Sequence, residues 1–280
     1  MRWTIFLSAI WMFAGCSTPI SIRERHHRDK TEPEEWLSRA AAASDSGDKA
    51  ELRRTIGRFI VVWNKSMSTP VCGFRIVASP PSRTIWDPHY FDGFKIADDI
   101  DFRGLPSRHV RDGIGTPLVG WRDNLNRESI EKLYPPEGIS RPVTAVLKFG
   151  PRPNRRGLPR EVTVMLLKSQ VMDSLDGRTL AADFSAPWAA LLSRTKALRG
   201  SDLKGLLRAD HTGRDAGMFL MEPYDPAKTP VVMVHGLLST PLIWGRMTQE
   251  LWADPAIRQR YQVWHYLYPT GLPFLYSAKV

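Results

Sequence analysis

Four consecutive apolar residues, Val231-Val232-Met233-Val234, restrict what the C-terminal third of this chain can fold into more than any other stretch. A short, unbroken apolar run between Pro230 and His235-Gly236 is the pattern of a strand buried on both faces, since a half-exposed strand alternates. The residues beyond it suit such a strand. Pro241 to Ala253 reads as a helix with Trp244, Met247 and Leu251 on one face, and Asp254-Pro255 ends it. Tyr261 to Tyr268 (Y-Q-V-W-H-Y-L-Y) is a second strand, closed by Pro269-Thr270-Gly271. Strand, loop, helix and strand form a βαβ unit, whose strands are expected to be parallel and joined by a right-handed crossover. Gly217 to Glu222 reads as one more strand ahead of it.

Upstream the pattern changes. Glu34 to Ala43 and Asp48 to Lys65 read as helices, the second with Leu52, Ile56, Phe59, Ile60 and Trp63 in one apolar stripe. Ser44-Asp45-Ser46-Gly47 between them is a turn signal, so residues 32–66 are expected to be a helical hairpin. Residues 67–135 are rich in Pro, Gly and aromatics without clear periodicity. Pro142 to Phe149 and Glu161 to Lys168 are β-rich runs around a Gly/Pro/Arg loop, an expected hairpin. Ser185 is placed to cap a helix from Ala186 to Lys196. Residues 67–212 are therefore expected to be an α+β accessory region, and 213–280 an α/β unit.

The N-terminus carries its own signal. Met1-Arg2 is a short positive segment, and Trp3 to Phe13 is apolar but too short to span a bilayer of about 30 Å. Phe13-Ala14-Gly15-Cys16 then resembles the lipobox of bacterial lipoprotein signal peptides, with Phe13 where the consensus has an aliphatic residue. The resemblance implies cleavage after residue 15, acylation of Cys16 and membrane attachment through the lipid, with residues 16–31 as a charged tether. Ser17 after the cysteine implies the outer membrane if the host is Gram-negative. Only Cys16 and Cys72 are present, so lipidation of the first leaves no intramolecular disulfide. The formal net charge of +10 is read as a solvated basic surface suited to anionic membranes, because no nucleic-acid module accompanies it.

The segment P-V-V-M-V-H-G-L-L-S-T-P-L-I-W resembles the oxyanion-hole strand and loop of esterase/lipase-like α/β-hydrolases. That resemblance covers about residues 215–280. It implies that His235 and Gly236 shape a loop in which the Leu237 N–H holds a tetrahedral oxyanion, and that an ester is the substrate of a complete enzyme. His235 is not implied to be the catalytic base. Such enzymes attack with a serine on a G-x-S-x-G elbow, and that motif is absent from the 280 residues. No catalytic residue is assigned, and the chain is expected to be the inactive N-terminal part of a lipid-anchored hydrolase, cut short before its nucleophile. The alternative is a non-catalytic envelope lipoprotein that binds a partner or cell-surface component. An incomplete sheet also implies an apolar open edge and self-association through it.

Other chemistries find less support. Three S-x-x-K matches (Ser46/Lys49, Ser193/Lys196, Ser201/Lys204) lack the companion motifs of serine β-lactamases. Asp92, Asp98, Asp99 and Asp101 read as a solvated acidic turn, and His26-His27 as part of the tether. Gly113-Ile114-Gly115 lacks the third glycine of a dinucleotide fingerprint. No metal or cofactor is expected.

Overall fold

A computed structural model of the chain describes residues 21–24, 31–64, 71–103, 107–153, 157–194, 217–235 and 244–268. The signal segment, Cys16, His26-His27, Gly236 and Leu237 lie outside the described residues. In chain order the elements are β1 (Ser21–Glu24), α1 (Pro33–Ser46), α2 (Lys49–Trp63), β2 (Phe74–Ala78), β3 (Gly93–Ile96), β4 (Ile100–Arg103), β5 (Val110–Arg111), β6 (Thr116–Arg122), β7 (Ile139–Phe149), β8 (Arg160–Leu167), β9 (Ser174–Leu175), β10 (Arg178–Thr179), β11 (Ala182–Asp183), α3 (Ala186–Arg194), β12 (Gly217–Leu220), β13 (Thr229–Val234), α4 (Gly245–Ala253), α5 (Pro255–Arg260) and β14 (Tyr261–Leu267). The mixture of helices and sheets is of the α/β class in this coarse sense. Among the described residues, no helix is long and apolar enough to cross a membrane.

The helical hairpin forms where its stripe demands. Ile56, Phe59, Ile60 and Trp63 of α2 are buried with Trp36, Leu37 and Ala40 of α1, against Leu118, Val143, Leu147, Val162 and Val164 of a sheet. The turn sits later than 44–47. α1 runs through Ser46, Gly47 takes φ 75° to end it, and the Asp48 carboxylate accepts the Ala50 and Glu51 amides at 3.1 and 3.0 Å to start α2.

That sheet has the order β2-β8-β7-β6-β3, with β2 parallel to β8 and the other pairs antiparallel. The expected hairpin is β7–β8. β6 crosses the stretch that showed no periodicity, because Pro117 and Gly120 interrupt its pattern. A side chain at Gly120 would meet the Phe91 ring at 2.9 Å, so the position needs glycine for packing. Part of the expected tether is also structured: Ser21–Glu24 pair as β1 with β4. Backbone hydrogen bonds are indifferent to the charge density that made this segment read as linker, and edge strands tolerate charge.

The C-terminal sheet has the order β12-β14-β13, with β13 parallel to β14 and β12 antiparallel to it, so the βαβ unit forms as expected. α5 is an addition: Asp254 caps it, where the sequence pattern indicated only a break. One face of the sheet, with Met233 and Val263, is covered by Trp188, Leu191 and Leu192 of α3 and by Trp252 of α4. α3 approaches so closely that a side chain at Gly245 would lie 2.7 Å from the Trp188 indole. The upstream region thus shares a core with the C-terminal unit.

Three expectations need correction here. Val231–Val234 is not buried on both faces: Val232 and Val234 are 42% and 51% exposed. β13 is an edge strand, and on that face Tyr134 and Ile139 pack against Leu220 of β12 and Trp264 of β14 rather than against β13. Met247 is half exposed, because the buried side of α4 instead carries Thr248, Gln249 and Trp252. Ser185 stands at the N-cap position of α3, its carbonyl accepting the Ala189 amide at 3.0 Å, but its hydroxyl is engaged elsewhere and the carboxylate at the helix start is that of Asp183. Asp183 accepts the Ser185 and Ala186 amides, and the Ser185 hydroxyl instead accepts from the His109 amide and from Gln249.

Candidate functional site

His235 directly follows β13, at the carboxyl edge of a parallel strand pair, the edge at which open α/β sheets bind ligands. The residue is 2% exposed and held by Tyr268, one position beyond β14. Their rings stack at 4.5 Å and 15°. The Tyr268 hydroxyl donates to the His235 carbonyl at 2.8 Å, and the Tyr268 amide donates to His235 Nε2 at 3.3 Å. An accepting Nε2 puts the ring proton on Nδ1 and ties the imidazole to the backbone of the neighbouring strand. His235 is thereby a fixed structural corner. Gly236 and Leu237, the other loop residues singled out by sequence, have no described geometry.

Below His235, on the covered face, His265 of β14 is 2% exposed, with Nε2 2.9 Å from the Thr248 hydroxyl. Burial pushes its pKa down to about 4, so it is neutral near pH 7. Arg141 of β7 reaches Glu222 at 3.1 Å, both buried, and lies over the Trp252 ring at 5.0 Å. Glu222 also accepts the Val263 amide at 3.3 Å, so this ion pair fastens the upstream sheet to the C-terminal one. Burial lowers the Arg141 pKa, and its Nε and Nη1 have no hydrogen-bond partner among the described residues.

Sequence reading missed a cluster of Ser107, His109 and Glu250. The Ser107 hydroxyl donates to Glu250 Oε1 at 2.8 Å and lies 3.2 Å from His109 Nε2, which is 3.0 Å from Glu250 Oε2. A hydrolytic triad uses both ring nitrogens, one toward the serine and one toward the acid. Here a single nitrogen faces both. Protonated, it serves the carboxylate and cannot take the serine proton; unprotonated, it faces a carboxylate oxygen with no proton between. The trio is therefore no triad. Ser107 and Glu250 are 143 residues apart, and S-x-H is too common a string to announce the contact.

Beside this trio opens a cleft of about 400 Å³ lined by Arg108, His109, Val110, Arg111, Asp173, Phe184, Ala253, Pro255 and Arg258. Three of the acidic residues flagged by sequence are held in ion pairs, one of them with Arg108 of the cleft. Asp92 pairs with Arg127, Asp98 with Arg53 and Arg108, and Asp99 with Arg58. Among the described residues, no group of three His, Cys, Asp or Glu side chains is placed to hold a metal ion. The Ser46 and Ser193 hydroxyls of the S-x-x-K strings donate to helix carbonyls, of Ala43 and Ala190. Cys72 is a free, exposed thiol. Compared with known proteins, the chain matches no family model, no curated sequence and no solved structure.

Proposed function

We propose that this chain is the N-terminal part of an α/β-hydrolase-type carboxylic-ester hydrolase, held on a membrane by lipid at Cys16, and that these 280 residues do not turn over esters by themselves. The observation that carries the reading is the fixing of His235 by Tyr268 at the carboxyl edge of the parallel pair β13–β14. A loop that leaves a strand from a rigid corner is what a preorganised oxyanion donor needs, because donors that must reorganise lose their advantage. The H-G-L string at that corner assigns the donor role to the Leu237 N–H. The attacking group is a separate matter: no G-x-S-x-G occurs in the sequence, and the Ser107 trio lacks a base.

Incubation with a fluorophosphonate probe and short-chain aryl esters tests the inactive half of this reading, with no labelling and no turnover expected. Labelling of Ser107, abolished by Ser107→Ala, would overturn it. The message read past the Val280 codon tests the family half: a G-x-S-x-G on a strand-to-helix turn supports it, and its absence there removes the hydrolase reading. Palmitate labelling lost in Cys16→Ser tests the anchor. The second reading, a non-catalytic envelope lipoprotein that binds a ligand or partner, is favoured by the arginine-lined cleft, which needs no nucleophile to act.

A further inference from the structure

Arg111 and Arg258 are 147 residues apart in sequence and converge on one carboxylate. Arg258 follows the first turn of α5 and its side chain is 4% exposed; Arg111 ends β5 and is 18% exposed. Neither guanidinium is at liberty to swing away. Arg111 Nε donates to the Leu180 carbonyl at 2.7 Å, and its Nη2 to those of Met172 and Ser169 at 3.2 and 3.3 Å. Arg258 Nη1 donates to the Ala253 carbonyl at 2.8 Å, and its Nε to that of Gln170 at 3.3 Å. Both lie against the Phe184 ring, 5.5 and 4.3 Å from its centroid. Two like charges fixed side by side away from water repel strongly. Burial, and then the Arg111 charge, lower the Arg258 pKa, although Asp173 opposes both.

The carboxylate they share behaves differently. Asp173 contacts Arg111 Nη1 and accepts from Arg258 Nη2 at 2.8 Å, yet its side chain is 46% exposed and sits on the rim of the cleft. The neighbouring carboxylates are engaged by other residues of the cleft: Asp183 and Asp98 by Arg108, Glu250 by His109. Among the described residues, the two rigid cations of the Arg111–Arg258 pair thus contact one half-exposed, singly charged carboxylate, while the Asp254 charge acts on Arg258 more weakly from beyond contact. A tetrahedral dianion balances both charges and offers an oxygen to each guanidinium fork, which one carboxylate does only in part.

We propose that this cleft binds a phosphate dianion, either inorganic phosphate or the phosphate of a small monoester, seated on Arg111 and Arg258, with Asp173 as the internal group it displaces. The site lies at the N-terminal end of β14, away from His235 at the other end of the paired strand, and owes nothing to the hydrolase reading.

Calorimetric titration of the full chain with inorganic phosphate and with glycerol phosphate, at matched ionic strength in chloride, tests the proposal. Saturable binding of either is expected. Asp173→Asn removes the competing charge and is expected to tighten binding about tenfold, the scale of one charge-assisted hydrogen bond. A merely structural Asp173 would give the opposite result, weaker or absent binding in that variant, and that outcome overturns the proposal. So does the lack of saturable heat with both chains. Vesicles with and without phosphatidic acid separate the sources. Binding that inorganic phosphate competes away, and that Asp173→Asn strengthens, assigns the phosphate to a lipid headgroup. Vesicle binding indifferent to both, with no soluble phosphate bound, reflects the basic surface alone and overturns the site.

Discussion

Lowering the pH from about 7 to about 4 acts on His265 with a magnitude that its surroundings fix. The imidazole is 2% exposed, its Nε2 is 2.9 Å from the Thr248 hydroxyl, and the Trp188 ring stands 5.9 Å away. Burial depresses its pKa from 6.5 to about 4. The unfolded chain takes up a proton as pH falls through 6.5, while the folded chain does so only near 4. Stability from this group is therefore complete above about pH 6.5, declines by about 1.4 kcal/mol per pH unit below it, and is lost by about pH 4. The whole loss comes to about 3 kcal/mol, an appreciable share of the 5–15 kcal/mol typical of a domain. Carboxylates titrate in the same window, so the informative quantity is a difference between two proteins. Urea unfolding of the native chain and of His265→Gln across this range isolates it. The variant is expected to be the less stable near neutrality, and the gap is expected to close by about 3 kcal/mol as pH falls to about 4. Parallel stability curves for the two proteins would refute the reasoning, as would an imidazole carbon resonance of His265 titrating near 6.5.

Other perturbations read other parts of the fold. Glu222→Gln leaves Arg141 charged and buried, and is expected to cost about 3–5 kcal/mol in urea unfolding, with much of that recovered when Arg141→Met is added. Gly245→Ala drives a methyl into the Trp188 indole and is expected to cost about 1–3 kcal/mol, with a changed near-ultraviolet dichroism from that tryptophan. Phe59→Ala opens a cavity under the hairpin at about 3–5 kcal/mol, whereas Met247→Ala on the outer side of α4 stays within about 0.5 kcal/mol. Val234→Lys on the exposed face of β13 is expected to leave stability unchanged within about 0.5 kcal/mol and to reduce any self-association seen by light scattering.

What the sequence made legible were periodicities that one environment governs from end to end. The α2 stripe, the β7–β8 hairpin and the βαβ order follow from apolar spacing and punctuation, and the structure places them where that spacing indicates. The failures share a cause. In β13 an apolar run concealed an alternation, since Val231 and Met233 turn toward the covered face while Val232 and Val234 turn to one left open. In α4 the buried side holds Thr248 and Gln249, whose partners His265, Ser107 and Ser185 lie far away in sequence. In β6, Pro117 and Gly120 serve a strand whose core partners no local window contains. The site divides in the same way. His235 was visible as a string before its loop, whereas Tyr268, which fixes it, and the convergence of Arg111 with Arg258 depend on contacts across 33 and 147 residues.

The same long-range contacts bear on how the chain's parts depend on one another. A three-stranded sheet is marginal alone, and among the described residues β12-β14-β13 has only the short helices α4 and α5 within its own span. The apolar weight over Met233 and Val263 comes largely from α3, and the counter-charge for Glu222 comes from β7. Both lie before residue 195, in the region that sequence alone set apart as accessory. That region therefore supplies Trp188, Leu191 and Leu192 to the core under β13 and β14, the strands that carry the His235 corner. The rigidity of the corner is in this sense a property of the upstream fold. Loosening α3 at Trp188 should release His235 from Tyr268 before it unfolds the helical hairpin, because the hairpin packs on the other sheet and shares none of these contacts.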